Sequence, residues 1–190
     1  MELKGDKEFK YDKLDDDIRR RLLDHRIVLL TGEIGLSLIN DVVKELIYIS
    51  LKSRGPIKIV LNSVGGEVYA GLLLYNTVRD LVRQGIDVEI EVRGLAASMG
   101  CIILQSASRR TTTKATRFLI HEVSTWEWGS VTEMEEKVEE VRKVNNMLRD
   151  ILVERTGHSK KDIDKLWAKK DVWYSADEAL RFGLVDAVVG

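Results

Sequence analysis

Two hydrophobic periods alternate along this chain, with small residues at most of the junctions. The apolar run 27–30, Ile-Val-Leu-Leu, closes at Thr31 and Gly32 and predicts a short buried strand. Ile39, Val42, Val43, Leu46 and Ile47 then recur at helical spacing, which predicts a helix with one apolar face reaching about Ser53. Arg54, Gly55 and Pro56 end it, since proline lacks an N–H and restricts the residue before it. The order then repeats. A strand over 57–61 ends in Asn62, Ser63, Val64, Gly65 and Gly66 and leads into a helix over about 69–83. A strand over 88–93 ends in the stretch 94–100, Gly-Leu-Ala-Ala-Ser-Met-Gly, and leads into a helix reaching about Ala107. Strands alternating with helices predict an α/β fold with parallel pairing, right-handed crossovers, and a site at the carboxyl ends of the strands. Gly65, Gly66 and Ser98 fall on that rim together.

The second half is less regular. After Arg109, Arg110 and a polar threonine run, the strand 117–120 delivers His121. Ser130 and Glu133 form a capping box, and the helix they open carries Val138, Val141, Val144, Met147, Leu148 and Leu152 as far as Thr156-Gly157. It is the longest helix expected, with more surface than one small core covers, so part of it is expected to pack on another subunit. Ser159 and Asp162 cap a short helix, Ser175 and Glu178 cap another that ends at Gly183, and 184–189 reads as a closing strand. Residues 1–17 carry many charges and little periodicity. They read as a flexible arm before a short helix at 18–23, leaving 18–190 as a single domain.

Composition narrows the class of partner. The 30 basic and 31 acidic residues nearly cancel and are interspersed, which argues against a nucleic-acid or anionic-membrane ligand. The charged N-terminal stretch is unlike a secretory signal, and no apolar run approaches membrane-helix length, so a cytoplasmic protein is expected. Cys101 is the only cysteine, which excludes an intramolecular disulfide or a cysteine-rich metal site and suits a small buried hydrophobe.

The candidate chemistry centres on Ser98. Ala96 and Gly100 flank it in a near relative of the nucleophile elbow, and a strand-to-helix turn puts it in the first turn of a helix, where unpaired N–H groups favour an anion. The same small residues also serve as a tight-packing device. A serine hydroxyl needs a base, and the base needs a third group to hold its tautomer. Of the 3 histidines, His25 lies in a charged stretch and His158 follows a helix stop, so both are expected in solvent. His121 ends an apolar strand, where an unpaired imidazole is costly, although a satisfied structural histidine fits there equally. Gly65-Gly66 brings backbone N–H groups close to a ligand, and the Met99 amide lies at the same helix start as Ser98. Asp171 stands among many acidic residues. Trp173 and Tyr174 beside it point to partial burial.

Taken together, these residues resemble the ClpP family, the proteolytic subunits of the Clp proteases, over nearly the full length. Arg26-Ile27, Thr31-Gly32, Asn62-Ser63 with Gly65-Gly66, Ala70-Gly71 and Tyr75 look like the family's first half. Ala96 to Gly100 resembles its serine motif, Ile120-His121 its histidine motif, and Gly183-Leu184-Val185-Asp186 part of its C-terminal segment. The resemblance implies the ClpP/crotonase fold, stacked βα units with a protruding long handle helix. It implies Ser98 as nucleophile, His121 as general base, Asp171 as its orienter, and the amides of Gly66 and Met99 as an oxyanion hole. It further implies peptide-bond hydrolysis of unfolded polypeptides without metal or cofactor, ATP being used only by a partner. In the family, heptameric rings stack face to face and receive substrate from an AAA+ Clp ATPase. The chain departs from the family at Val64, where proline is usual, and at 123–129, which replaces a glycine- and glutamine-rich stretch bearing on substrate and ring contacts. It departs again at Lys169-Lys170, where an Asp-Arg pair is frequent, and in the arm, which lacks the apolar axial-loop pattern. Two other readings stay open on the sequence: a ClpP-like ring subunit that does not cleave, and a crotonase-type acyl-CoA enzyme.

Overall fold

The structure is a computed structural model that describes residues 5–123, 129–168 and 171–190. Helix α1 (Gly5–Asp24) leads through strand β1 (Ile27–Ile34) and helix α2 (Leu36–Lys52) to strand β2 (Ile57–Gly66). Helix α3 (Val68–Arg83), strand β3 (Val88–Ala97) and the short helix α4 (Met99–Leu104) follow. Strands β4 (Arg109–Thr113) and β5 (Arg117–Ile120) precede the long helix α5 (Val131–Thr156). Helix α6 (Lys160–Trp167), strand β6 (Val172–Ser175), helix α7 (Ala176–Phe182) and strand β7 (Ala187–Val189) complete the order.

The sheet runs β1-β2-β3-β4-β7 with parallel neighbours, as the βα alternation predicts. Strand β3 forks. Its first half, Glu89 to Val92, pairs with β4, and its second half, Leu95 to Ala97, pairs with β5. Gly94 at φ +93° sits at the fork, and the Leu95 N–H donates to Asn62 Oδ1 at 3.1 Å, so β2 steers the departing half. Strand β6 then runs antiparallel to β5.

The core forms between one face of the sheet and the helices. Val28, Leu30, Ile59, Leu61, Ile90 and Val92 meet Ile39, Val42, Leu46 and Leu74 there. Strand β1 is therefore buried on one side only: Leu29, inside the run expected to be wholly buried, is exposed. In α2 the buried stripe is Ile39, Val42, Leu46 and Ile49, while Ile47, expected on that face, turns to the surface.

One expectation about the ends of elements is corrected. Residues 5–17, read as part of an arm, are the first turns of α1. No proline or glycine interrupts the chain between Asp6 and Asp24, and its Glu, Lys, Leu and Arg content favours a helix, but too few apolar residues made the period visible. Residues 1–4 of that arm lie outside the described residues. Helix α5 is long, as expected, and only its second half is packed. Val144, Asn145, Leu148, Ile151 and Leu152 are buried, whereas Val131, Met134 and Val138 are exposed. The first half thus stands out as a handle.

Candidate active site

Strand β2 ends by folding its own side chains back on the backbone. Ser63 Oγ donates to the Gly32 carbonyl at 2.6 Å and accepts the Gly65 N–H at 3.1 Å. Gly65 and Gly66 follow at φ +92° and +146°, and neither tolerates a side chain. A Cβ on Gly65 would lie 2.7 Å from Ser98 Cβ, and one on Gly66 would lie 2.1 Å from the Ile34 carbonyl oxygen. The Glu67 N–H donates to that same carbonyl at 2.8 Å, which ties the end of β2 to β1.

Ser98 occupies the turn between β3 and α4. It is the residue just before the helix rather than in its first turn, and its backbone is at φ +52°, ψ −120°. For a residue with a side chain that conformation costs about 1–3 kcal/mol, so its surroundings must hold it. They do so through the Ser98 N–H, which donates to the Leu119 carbonyl of β5 at 2.8 Å, and through the Ser98 carbonyl, which accepts the Cys101 N–H at 3.0 Å. The Ser98 hydroxyl does not cap α4. Met99 begins α4 beside Gly65, its amide among those left unpaired at a helix start, and its buried side chain packs against Gly71 of α3.

His121 and Asp171 come together through the β5–β6 pairing. Ile120 lies opposite Val172, so one step beyond the last pair of the antiparallel register brings His121 beside Asp171. His121 Nδ1 and Asp171 Oδ1 are 4.0 Å apart, longer than a hydrogen bond, and the Asp171 side chain is 62% exposed. The partial burial expected beside Trp173 and Tyr174 is thus absent, since Trp173 is itself on the surface. His158, expected in solvent, is half-buried, stacked on Phe182 at 4.2 Å with Nε2 3.1 Å from the Phe182 carbonyl oxygen, and it takes no part in the site. His25 is exposed as expected.

Ser98, Met99, Gly66 and His121 line one cavity of about 80 Å³. Val68, Ile102, Leu148, Leu152 and Trp167 supply its apolar wall, and the indole N–H of the buried Trp167 has no hydrogen-bond partner among the described residues. Cys101 lies at the base. Burial pushes its thiol up to about 12, and its Sγ donates to the Ala96 carbonyl at 3.0 Å, which leaves a neutral, unreactive thiol beside the serine.

Two polar residues that shape the site carried no role in the sequence. Asn62 bonds the fork of β3, and Asn145 of α5 bonds the two residues after His121. Asn145 left a signal: it interrupts the apolar stripe of α5, one residue after Val144 and three before Leu148. Of the departures seen in the sequence, 124–128 and Lys169-Lys170 lie outside the described residues. Among the described residues, no cluster of His, Cys, Asp and Glu could hold a metal ion, and no helix is long and apolar enough to cross a membrane.

Compared with known proteins, residues 10–190 match the family model described as Clp protease. The ATP-dependent Clp protease proteolytic subunit 1 of Chlamydia muridarum is 35% identical over 182 residues, which cover 93% of each chain. The subunit of the same name from Protochlamydia amoebophila is 34% identical over 182 residues, 93% of this chain and 86% of that one.

Proposed function

The chain belongs to the Clp protease family, and from that premise we propose that it is a serine endopeptidase acting through Ser98, His121 and Asp171. The observation that carries this reading is the single cavity bordered by the strained Ser98 turn, His121 and Gly66. His121 takes the Ser98 proton as Oγ attacks the scissile carbonyl, then gives it to the leaving amine. The N–H groups of Gly66 and Met99 receive the developing oxyanion. Water then cleaves the acyl-enzyme, with His121 again as base. Asp171 orients the imidazole, for which the 4.0 Å separation from His121 must close by about 1 Å once substrate excludes water. The apolar wall of the cavity suits an uncharged side chain next to the cleaved bond.

The family relationship and the exposed Tyr48, Leu51, Val64 and Tyr69 support assembly with further copies of this chain, in heptameric rings that stack in pairs. The names of the relatives support an ATPase partner that supplies unfolded chains, ATP being used there. A crotonase-type reaction would share the paired amides but leave Ser98 and His121 without a task.

The test is intact mass after treatment with a fluorophosphonate, on the wild type and on Ser98→Ala. A single adduct on the wild type alone, with peptide hydrolysis falling at least about a thousandfold in the variant, is expected. An adduct on both proteins would place the reactive group elsewhere, and none on either would favour a ring subunit that assembles without cleaving.

A further inference from the structure

Strand β5 ends at Ile120, so the pairing that holds Ser98 and its neighbours stops one residue before His121. What holds the chain beyond that point comes from a different element. Asn145, 7% exposed on α5, accepts the Val123 N–H on Oδ1 at 3.0 Å and donates from Nδ2 to Glu122 Oε1 at 2.8 Å. A backbone N–H only donates and a carboxylate only accepts, so these partners fix which way the amide faces. Both partners directly follow His121, and Val123 itself borders the cavity. A leucine here would continue the apolar stripe but leave the part-buried Val123 N–H without its acceptor, so the asparagine ties this chain segment to α5.

We propose that Asn145 is a positioning residue for His121. It ties residues 122 and 123 to the packed half of α5, and so sets where the imidazole stands relative to Ser98. This role rests on the peptidase reading above. It acts through the backbone, and Asn145 does not meet the substrate's reacting atoms.

Asn145→Leu removes both hydrogen bonds and keeps the number of non-hydrogen side-chain atoms. Its kcat is expected to fall about 10- to 100-fold while KM changes less than about threefold, because a small misplacement of the base weakens the transition state rather than binding. Fluorophosphonate labelling of Ser98, which also needs the base, should slow in parallel. A purely structural role would instead lower the melting temperature and leave kcat of the folded protein intact. Asn145→Asp keeps the acceptor for Val123 but sets a second carboxylate against Glu122, and it should lose activity too. Adding Glu122→Gln restores a donor, and the double variant should return to within about threefold of wild type. Should Asn145→Leu fail to fold, the Asn145→Asp pair decides alone. Wild-type kcat and labelling in Asn145→Leu, unchanged activity in Asn145→Asp, or no recovery in the double variant would each overturn the proposal. A wild type that is never labelled would remove the peptidase reading and this role with it, an outcome seen without any variant.

Discussion

At the scale of single residues, the site is built from backbone that ordinary residues avoid. Ser98 accepts a positive φ because neighbours on three sides leave no alternative: the Leu119 carbonyl, the start of α4, and the bare Cα of Gly65. Gly65 is the tightest of these contacts. A methyl there would lie 2.7 Å from Ser98 Cβ and 2.8 Å from the Ala97 carbonyl oxygen, and neither is the movable end of a side chain. On the proposed peptidase reading, Gly65→Ala is therefore expected to shift the serine turn and to lower peptide hydrolysis by about a hundredfold or more, since displacement by a fraction of an ångström would spoil the proposed nucleophile and oxyanion donors together. Steady-state kinetics with circular dichroism checks it: a folded Gly65→Ala protein of normal activity would mean the turn is not held as tightly as described. At Gly71, by contrast, the atoms a Cβ would meet first are those of the Met99 side chain rather than backbone.

At the scale of elements, short pieces position the chemistry while the longest one is only half used. Strand β5 has four residues, yet it bonds Ser98 on one side and pairs with β6 on the other, bringing serine, histidine and aspartate to one rim. Helix α5 contributes only its second half to the core. Its N-terminus is fixed by a complete capping box between Ser130 and Glu133, and its C-terminus by Gly157 in the left-handed conformation. Because the first turns touch no core, Ser130→Ala should cost about 1 kcal/mol locally, without lowering the global melting temperature. Amide exchange over residues 131–140 should speed up about fivefold, while labelling of Ser98 stays unchanged. A drop in global stability instead would show that the handle helix is packed along its whole length.

At the scale of the whole molecule, the C-terminal segment is held by one buried cation. Arg110 donates to Gln105 Oε1 at 2.5 Å and to the Gly183 carbonyl at 2.8 Å, and it pairs with the Asp186 carboxylate. Its own N–H donates to Asp186 Oδ2 at 2.8 Å, and the Asp186 N–H returns to the Arg110 carbonyl at 2.8 Å. Burial by itself would raise the Asp186 carboxyl, but the hydrogen bonds from Arg110 outweigh it and hold it below its ordinary 3.8. A carboxyl lowered on folding adds stability above its unfolded value and loses it as pH falls through the folded one. Because the Asp186 side chain is 41% exposed and its charge is screened by solvent, Asp186→Asn should cost only about 1 kcal/mol at neutral pH, and the gap should narrow below about pH 4. Urea midpoints for both proteins between pH 2 and 7 test this, and parallel curves would mean that Asp186 does not carry the acid sensitivity.

By itself, the sequence determined whatever depends on near neighbours in the chain. The change of period at Ile39, the glycine ends of β2 and β3, the small residues around Ser98 and the capping boxes at Ser130 and Ser175 each act within a few positions. Those local rules were enough for the α/β alternation and the rim carrying Ser98, and they singled out His121 because an apolar strand led to it. They could not single out Asp171, which looks like any other acidic residue and was named only through a family resemblance. Its place beside His121 comes from β6, a short strand whose pairing with β5 spans more than fifty residues of chain. Asn145 showed only as a polar break in the apolar stripe of α5, and its role stayed hidden for the same reason, its partners lying 22 and 23 positions away. Pairing over such distances depends on which surfaces the packed sheet leaves facing one another, so tertiary structure alone decided what stands beside the histidine.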